Sequence, residues 1–220
     1  GDVPTVQPGT VMGHEGVGIV VAVGTEVTRV APGDRVVIGI ISACGRCDRC
    51  RQGRPAHCRT GGWQLGNTID GTQADYVRVP FADLGLQRLP DTLPDATAVL
   101  LSCALPTALE CAAQAGKVKP GDVVAIVGAG PVGLACLLAV QLSSPAAVYV
   151  VDRDPHRLAL ATALGATAVI HSPDTEPVAA LLALTKGEGV QLVIEAVGTP
   201  ETFALCQAVV GIGGHIANVG

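Results

Sequence analysis

From about residue 95 to its end, the chain alternates short apolar runs with Ala- and Leu-rich stretches of helical period. The apolar runs predict strands, and the stretches between them predict helices. The predicted strands are 123–127, 147–151, 167–170, 190–195 and 213–218. The predicted helices lie near 131–143, 154–164, 175–185 and 200–209. This alternation predicts an α/β fold, with five of the six strands of a doubly wound parallel sheet.

The first part of the chain has a different texture, in which short apolar runs are separated by Gly and Pro. Strand signals lie at 18–24, 32–38 and 72–79. They predict a small β-rich domain that a cysteine-rich segment interrupts. A helical stretch at 96–115 follows, so the predicted domains are residues 1–95 and residues 96–220.

The composition favours buried parallel strands over an aromatic core. Hydrophobic residues make up 49% of the chain, yet it has only one Trp, two Tyr and two Phe, so Val, Ala, Leu and Ile must fill the interior. The formal net charge of -5 offers no electrostatic surface to nucleic acid or to an acidic membrane. The longest apolar run, 123–142, contains three glycines and a proline, and therefore predicts strand, turn and helix instead of a membrane span.

Eight cysteines in a chain without a signal peptide indicate a reducing, cytoplasmic compartment. Four of them, Cys44, Cys47, Cys50 and Cys58, follow the spacing C-x2-C-x2-C-x7-C. This spacing can close a tetrahedral cage of four sulfurs around Zn²⁺. An iron–sulfur cluster is the chemical alternative, and unstrained disulfides do not fit such near neighbours. A full sulfur shell leaves no open position for substrate, so we expect a structural zinc.

A glycine-rich turn follows the first predicted strand of the second domain. Gly128, Gly130 and Gly133 form G-x-G-x-x-G between an apolar strand and an Ala/Leu helix, the context in which this motif holds a dinucleotide pyrophosphate. Asp152 ends the next strand, where a carboxylate binds the adenosine ribose and repels a 2′-phosphate. NAD is therefore favoured over NADP, although Arg153 weakens that preference. A glycine turn in an unrelated α/β domain is the alternative interpretation.

Two further residues are candidate ligands for a second metal. His14 adjoins Glu15 and precedes the cysteine-rich segment, and Cys103 lies near the domain boundary, four residues before Thr107. Each has an ordinary alternative: a lone His is more often packed or exposed than a ligand, and a lone Cys more often a small core residue. Cys111, Cys136 and Cys206 lie in apolar helical stretches, and we expect them in the core.

Five motifs occur in one order along the chain. They are Gly13-His14-Glu15, the four-cysteine run, Gly71-Thr-Gln-Ala-Asp-Tyr-Val, Cys103-Ala-Leu-Pro-Thr107 and Gly128-Ala-Gly-Pro-Val-Gly133. Together they resemble the zinc-containing medium-chain alcohol dehydrogenases over essentially the whole chain. The resemblance implies a GroES-like β-rich domain that carries zinc, a Rossmann domain that binds NAD, and substrate between them. It also implies hydride transfer between an alcohol and NAD, in a homo-oligomer, dimer or tetramer, without nucleic-acid or membrane partners.

The resemblance also implies roles for individual residues. His14 and Cys103 match two ligands of a catalytic zinc ion, which acts in that family as a Lewis acid for the alcohol. Glu15 matches the acidic residue that neighbours this zinc ion. The positions that match coenzyme-contacting residues are Thr107, Gly128, Gly130, Pro131, Val132, Gly133, Asp152, Arg157 and Val197. The family's first catalytic cysteine, its sixth Rossmann strand and its closing segment have no match, so we expect a part of a longer enzyme. A zinc-stabilised dinucleotide-binding fragment without turnover is the alternative, whereas the four cysteines argue against a quinone reductase-like enzyme without zinc.

Overall fold

Short strands and irregular loops make up the first part of the chain in the computed structural model, which describes residues 3–220. The elements of this part are β1 (Gly16–Ile19), β2 (Arg35–Ile38), β3 (Ile41–Ser42), α1 (Asp48–Arg51), β4 (Gly62–Trp63), α2 (Ala82–Gly85), β5 (Leu86–Arg88) and α3 (Asp95–Ala98), with 3₁₀ turns at Pro55–His57 and Val99–Leu101. β1, β2 and β5 form an antiparallel sheet, and β3 pairs with β4. The β-rich domain is thus confirmed.

Two strand predictions in this part are wrong in detail. The run at 18–24 forms a strand only up to Ile19, because Val20 exchanges backbone hydrogen bonds with the turn that holds Gly33 and Asp34. The alternating run at 72–79 forms no strand. Its first two N–H groups, of Thr72 and Gln73, donate to carbonyls of the loop before β1 instead of to a neighbouring strand. Alternation alone cannot make a strand where no paired strand is present.

The second part of the chain is the predicted parallel sheet. Its elements are α4 (Ala104–Thr107), a π-helical turn at Ala108–Gln114, β6 (Val123–Val127), α5 (Pro131–Gln141), β7 (Ala147–Asp152), α6 (Pro155–Ala163), β8 (Ala168–His171), α7 (Pro177–Leu184), β9 (Val190–Glu195), α8 (Pro200–Val209) and β10 (Val210–Asn218). The strand order is β10-β9-β6-β7-β8, and every pair is parallel. All five strands and four helices predicted for this part are present, within a few residues of their expected bounds.

Alternate residues of β6 enter two different cores. Val124 and Ile126 face α5 and α6, with Leu137 and Leu158 among the buried residues of that core. Ala125 and Val127 pack on the opposite face with residues of α7 and α8. These cores contain few aromatic side chains, since small β-branched and aliphatic residues let helices approach a parallel sheet closely. The two cores confirm the doubly wound fold class.

The two compact units of the structure divide between Cys103 and Ala104. The domain boundary expected after residue 95 lies eight residues before this division. Residues 95–102 belong to the first unit because their side chains are hydrogen-bonded to it. The Asp95 carboxylate accepts a hydrogen bond from the Arg35 guanidinium. The Ser102 hydroxyl accepts one from the Gly16 backbone N–H at 3.1 Å.

One stretch of the described chain, Asp95–Gln114, is long and apolar enough to cross a membrane by length and composition alone. Its mean hydropathy is 1.5, and core helices of soluble proteins satisfy the same criterion. The apolar run at 123–142, in contrast, consists of β6, a glycine turn and α5, as its glycines predict.

Candidate functional site

The four-cysteine lobe, which we define as residues Cys44 to Cys58, lies between two paired strands. Ile41 of β3 is opposite Trp63 of β4, and Ser42 is opposite Gly62. The two ends of the lobe are therefore held next to each other by the β3–β4 pair. α1 and the 3₁₀ turn at Pro55–His57 lie within it and set the directions of its cysteines.

All four cysteine sulfurs of the lobe converge. Cys47 immediately precedes α1, Cys50 lies within it, and Cys58 follows the 3₁₀ turn. The Sγ atoms of these three residues and of Cys44 lie within 4.8 Å of one another. A tetrahedral zinc site with bonds of about 2.3 Å has sulfur–sulfur distances of about 3.8 Å, so small shifts would bring all four sulfurs onto one ion. The residues fit the structural zinc that their spacing predicts.

The surroundings of the sulfurs distinguish two of the thiols. The Cys44 backbone N–H donates to the Cys58 sulfur at 3.3 Å, and this bond lowers the pKa of Cys58 to about 6. Burial raises the pKa of the Cys50 thiol to about 12. A coordinated metal removes thiol protons, so a zinc ion would supply the positive charge that the Cys50 thiolate needs.

An ion pair closes the lobe on its outer side. The Arg59 guanidinium donates to both carboxylate oxygens of Asp48, at 2.6 and 2.8 Å. The same bonds hold the pKa of Asp48 at about 2. Both side chains are more than half exposed, so the pair contributes orientation more than stability. Arg59, one residue after the lobe, therefore helps to hold the lobe together, a role that the cysteine spacing alone does not indicate.

His14 lies in the loop before β1, against residues 66–73. The Gly71 N–H donates to the Val11 carbonyl, and the Thr72 N–H donates to the Gly13 carbonyl at 2.9 Å. A Cβ atom at Gly71 would lie 1.9 Å from the Gly13 oxygen, so the two loops can approach this closely only with glycine there. The Thr72 hydroxyl also donates to the Glu15 carbonyl at 2.6 Å. The motif that begins at Gly71 thus positions His14 and Glu15.

The ring of His14 contacts the base of the four-cysteine lobe. Its centroid lies 5.4 Å from that of Trp63 on β4, with the two planes at 77°. The Trp63 indole N–H donates to the Leu65 carbonyl at 2.9 Å, which fixes the indole. An edge-to-face contact of this kind restrains the orientation of the imidazole.

Cys103 follows a buried serine that is tied to the segment after His14. The Ser102 hydroxyl accepts from the Gly16 N–H at 3.1 Å and lies 3.3 Å from the Gly16 carbonyl, to which it can donate. The Ser102 carbonyl accepts from the Ile40 N–H at 3.1 Å. Gly16, two residues after His14, is therefore hydrogen-bonded to Ser102, the residue before Cys103. Ser102 belongs to none of the predicted motifs, although a serine inside an apolar helical stretch is a signal for such a bond.

The predicted ligands of a second zinc remain predictions. Among residues 3–220, the four cysteines are the only group of three or more His, Cys, Asp or Glu side chains whose ligand atoms gather around one point. His14, Glu15 and Cys103 do not form a second such group in the described chain. Glu15 is exposed, and His14 and Cys103 are partly buried.

A cleft of about 660 Å³ lies at the carboxyl ends of β6, β7, β8 and β9. We call it the coenzyme cleft, after the coenzyme that the glycine motif predicts there. Its lining includes five of the predicted coenzyme residues: Gly128, Gly130, Asp152, Arg157 and Val197. Gly128 has a φ of +100°, and a Cβ atom at Gly133 would lie 1.9 Å from the Gly128 carbonyl oxygen. Two of the three glycines of the motif are thus required by backbone geometry, and the third, Gly130, precedes the first residue of α5.

Asp152 is the last residue of β7, the position at the strand end that the sequence predicts. Its Oδ2 accepts the Ala129 N–H of the glycine turn at 2.6 Å, and its Oδ1 accepts the Asp154 N–H at 2.8 Å. Each oxygen keeps a lone pair for a further donor. The carboxylate is therefore fixed at the edge of the coenzyme cleft in an orientation that can accept ribose hydroxyls.

Glu195 is a buried carboxylate at the end of β9. It is 1% exposed, and its Oε1 accepts from the N–H groups of Val197 and Gly198 and from the Thr202 hydroxyl, at 3.0, 3.0 and 2.7 Å. These bonds hold the turn that carries Val197 into the cleft. Three hydrogen-bond donors, two backbone N–H groups and one hydroxyl, explain how a carboxylate can be buried here.

The comparisons with known proteins agree with this geometry. Residues 1–91 match the alcohol dehydrogenase GroES-like domain, and residues 131–220 match the zinc-binding dehydrogenase domain. A medium-chain reductase/dehydrogenase of Acremonium is 35% identical over 96% of this chain and 75% of its own length. The chain belongs to the zinc-containing medium-chain alcohol dehydrogenase family.

A solved member of this alcohol dehydrogenase family has nearly the same fold. Zinc-dependent alcohol dehydrogenase 2 from Streptococcus pneumoniae is 49% identical with a TM-score of 0.94, over 100% of this chain and 63% of that one. An NADP-dependent isopropanol dehydrogenase from Thermoanaerobacter brockii is 33% identical over 95% of this chain and 60% of its own length. The chain spans only 56 to 63% of the length of the first curated relatives it matches.

Four of the residues predicted to contact the coenzyme lie outside the lining of the coenzyme cleft. Pro131 and Val132 begin α5, Gly133 packs against the glycine turn, and Thr107 ends α4. Sequence analysis missed several residues that do line it. They are Asp154, Ser172, Pro173, Thr202 and Leu205. Most of them follow strand ends, and this position is the signal that could have identified them.

Proposed function

We propose that this chain is part of an oxidoreductase that transfers hydride between an alcohol, or the corresponding aldehyde or ketone, and NAD. One observation carries the proposal: a cage of four converging cysteine sulfurs and a glycine-turn cleft with a fixed acidic residue occur in one chain of this family. The cage accounts for a structural zinc, and the cleft accounts for a nicotinamide dinucleotide.

We assign His14, Glu15 and Cys103 to a catalytic zinc and Thr107 to the nicotinamide. When bound, the zinc would supply a Lewis acid for the alcohol hydroxyl, and the nicotinamide would supply the hydride acceptor. The chain itself restrains the ligands. Trp63 orients the His14 ring, and the bond between Ser102 and Gly16 ties the segments that carry His14 and Cys103.

NAD is proposed over NADP because of the Asp152 carboxylate. Its two oxygens are already oriented by backbone N–H groups, and a carboxylate in this position accepts ribose hydroxyls and repels a 2′-phosphate. Arg153 and Arg157 also line the cleft and act in the opposite direction. One relative is named as NADP-dependent and one similar solved structure as NAD-dependent, so coenzyme choice varies among proteins like this one. We also propose a cytoplasmic homo-oligomer that acts on a small alcohol.

The alternative function is a zinc-stabilised dinucleotide-binding fragment without turnover. It is favoured by the finding that, among residues 3–220, only the four cysteines form a group of three or more ligands. Zinc content of the purified chain and alcohol-dependent NADH formation separate the two. About two zinc ions per chain with turnover support the oxidoreductase, since each set of ligands binds one ion. One zinc ion without turnover supports the fragment, and a chain without zinc would contradict both.

A further inference from the structure

His171 lies at the end of β8, beside the coenzyme cleft, and neither the motifs nor the family resemblance assigns it a role. Its backbone is opposite Asp152 in the register of β7 and β8. Its Nδ1 lies 2.6 Å from Asp174 Oδ2, and its Nε2 lies 3.0 Å from the Arg153 carbonyl oxygen. The next residues, Ser172 and Pro173, line the cleft.

Both partners of the His171 ring are acceptors only. A carboxylate and a carbonyl oxygen can each accept a hydrogen bond but cannot donate one, so both ring nitrogens must carry hydrogens. The ring is therefore an imidazolium. The hydrogen bond that the ring donates to Asp174 raises the pKa of His171, in agreement with this geometry. A charge-assisted bond to the Arg153 carbonyl is stronger than one from a neutral ring.

The peptide group that His171 holds is the one that orients Asp152. The Arg153 carbonyl and the Asp154 N–H belong to the same planar peptide unit. The carbonyl accepts from His171, and the N–H donates to Asp152 Oδ1 at 2.8 Å. Asp152 Oδ2 in turn accepts the Ala129 N–H. A continuous chain of hydrogen bonds thus runs from Asp174 through His171 and the peptide to the Asp152 carboxylate and the glycine turn.

We propose that His171 is a positioning residue that fixes the Asp152 carboxylate and thereby sets the preference for a coenzyme without a 2′-phosphate. This inference rests on the proposed function, since it concerns the coenzyme of the same site. The carboxylate can accept two ribose hydroxyls only while the 153–154 peptide stays in place. A carboxylate free to rotate loses those bonds and also escapes from a 2′-phosphate. Loss of His171 should therefore weaken NADH binding and leave NADPH binding nearly unchanged.

The test is isothermal titration calorimetry of the whole chain with NADH and with NADPH. His171→Ala should raise the dissociation constant for NADH about tenfold and that for NADPH less than about twofold. His171→Gln places an amide N–H near the position of Nε2 and should recover NADH binding to within about threefold of the original chain. His215→Ala, an exposed histidine on β10, is the matched control and should change neither constant.

Asp174→Asn provides a second variant if His171→Ala does not fold. It keeps an acceptor for Nδ1 but removes the charge, and should weaken NADH binding by about two- to threefold. An unchanged ratio of the NADH and NADPH constants in His171→Ala would overturn the inference alone. Equal weakening of both coenzymes without recovery in His171→Gln would also overturn it, since it would show a general structural role. If the unmodified chain binds neither coenzyme, or binds NADPH as tightly as NADH, the proposed NAD site fails and the inference with it.

Discussion

The four-cysteine lobe and the coenzyme cleft place their functional groups by different means. The lobe gathers its ligands within residues Cys44 to Cys58, on one short helix and one 3₁₀ turn. The cleft draws its lining from four strand ends between Val127 and Leu205, and backbone hydrogen bonds hold these ends in place. We therefore expect the order of the lobe to depend on a bound metal ion, whereas the backbone hydrogen bonds of the sheet order the cleft. Four predictions test this difference.

Removing one sulfur should have the largest effect. Cys50→Ser should abolish zinc binding in the lobe and lower the melting temperature of the first unit by more than about 10 °C, because structural zinc contributes on the order of 10 kcal/mol of folding free energy. Cys111→Ser is the control and should retain the metal. Cys111 lies outside the lobe and is exposed, so the expectation that it is a core residue is wrong, whereas Cys136 and Cys206 are buried as expected. Zinc analysis and differential scanning calorimetry measure both. A Cys50→Ser chain with full zinc content would contradict the assignment of the cage.

A methyl group at the glycine turn should disrupt the cleft. Gly133→Ala would place a Cβ 1.9 Å from the Gly128 carbonyl and should cost about 1–3 kcal/mol of unfolding free energy in urea. NADH binding should weaken with it, because α5 can no longer pack against the turn. Gly18→Ala, where a Cβ meets nothing within 4 Å, is the control. Equal stability of the two variants would show that the turn is not tightly packed.

Neutralising the buried carboxylate should have a smaller effect. Glu195→Gln replaces one carboxylate oxygen with an NH₂ group, which cannot accept a hydrogen bond. If the remaining oxygen takes the place of Oε1, the Gly198 N–H loses its second bond, to Oε2 at 3.1 Å, and the bonds from Val197 and Thr202 are no longer charge-assisted. The free energy of unfolding should fall by about 1–3 kcal/mol. Glu188→Gln, at an exposed position, should change it little. Urea denaturation of both variants measures the difference, and similar values would mean that water replaces the lost partner.

The two regions should respond to pH in opposite directions, with the smallest effect in the cleft. Asp174 raises the pKa of His171, and Asp152 adds to the effect. The contribution of the charged His171 ring to stability is therefore fully present below the ordinary histidine pKa, and it is lost as pH rises through the raised pKa. Zinc in the lobe is instead lost as pH falls, because protons compete for thiolates. Unfolding measured from pH 5 to 9 should show both, and His171→Gln should remove only the alkaline change.

The sequence predicts the parallel sheet almost completely, because each strand and helix there carries its own apolar period. Convergence of the four cysteines also follows from local spacing. The run at 72–79 shows the limit of such reasoning, since whether it forms a strand depends on a partner elsewhere in the chain. The roles of Ser102, His171 and Glu195 depend on contacts with Gly16, Arg153 and the 197–198 turn, which only the folded backbone brings together. The roles assigned to His14, Glu15, Cys103 and Thr107 stay predictions.

Trp63 is the one tryptophan of the chain, and it lies at the end of the four-cysteine lobe against the His14 ring. Its indole is an intrinsic fluorescent probe, so no label has to be added. Emission from this side chain should change when a chelator removes metal from the lobe, and it should change again when a metal ion binds the adjacent imidazole. One spectrum therefore reports on both proposed zinc sites of the first unit.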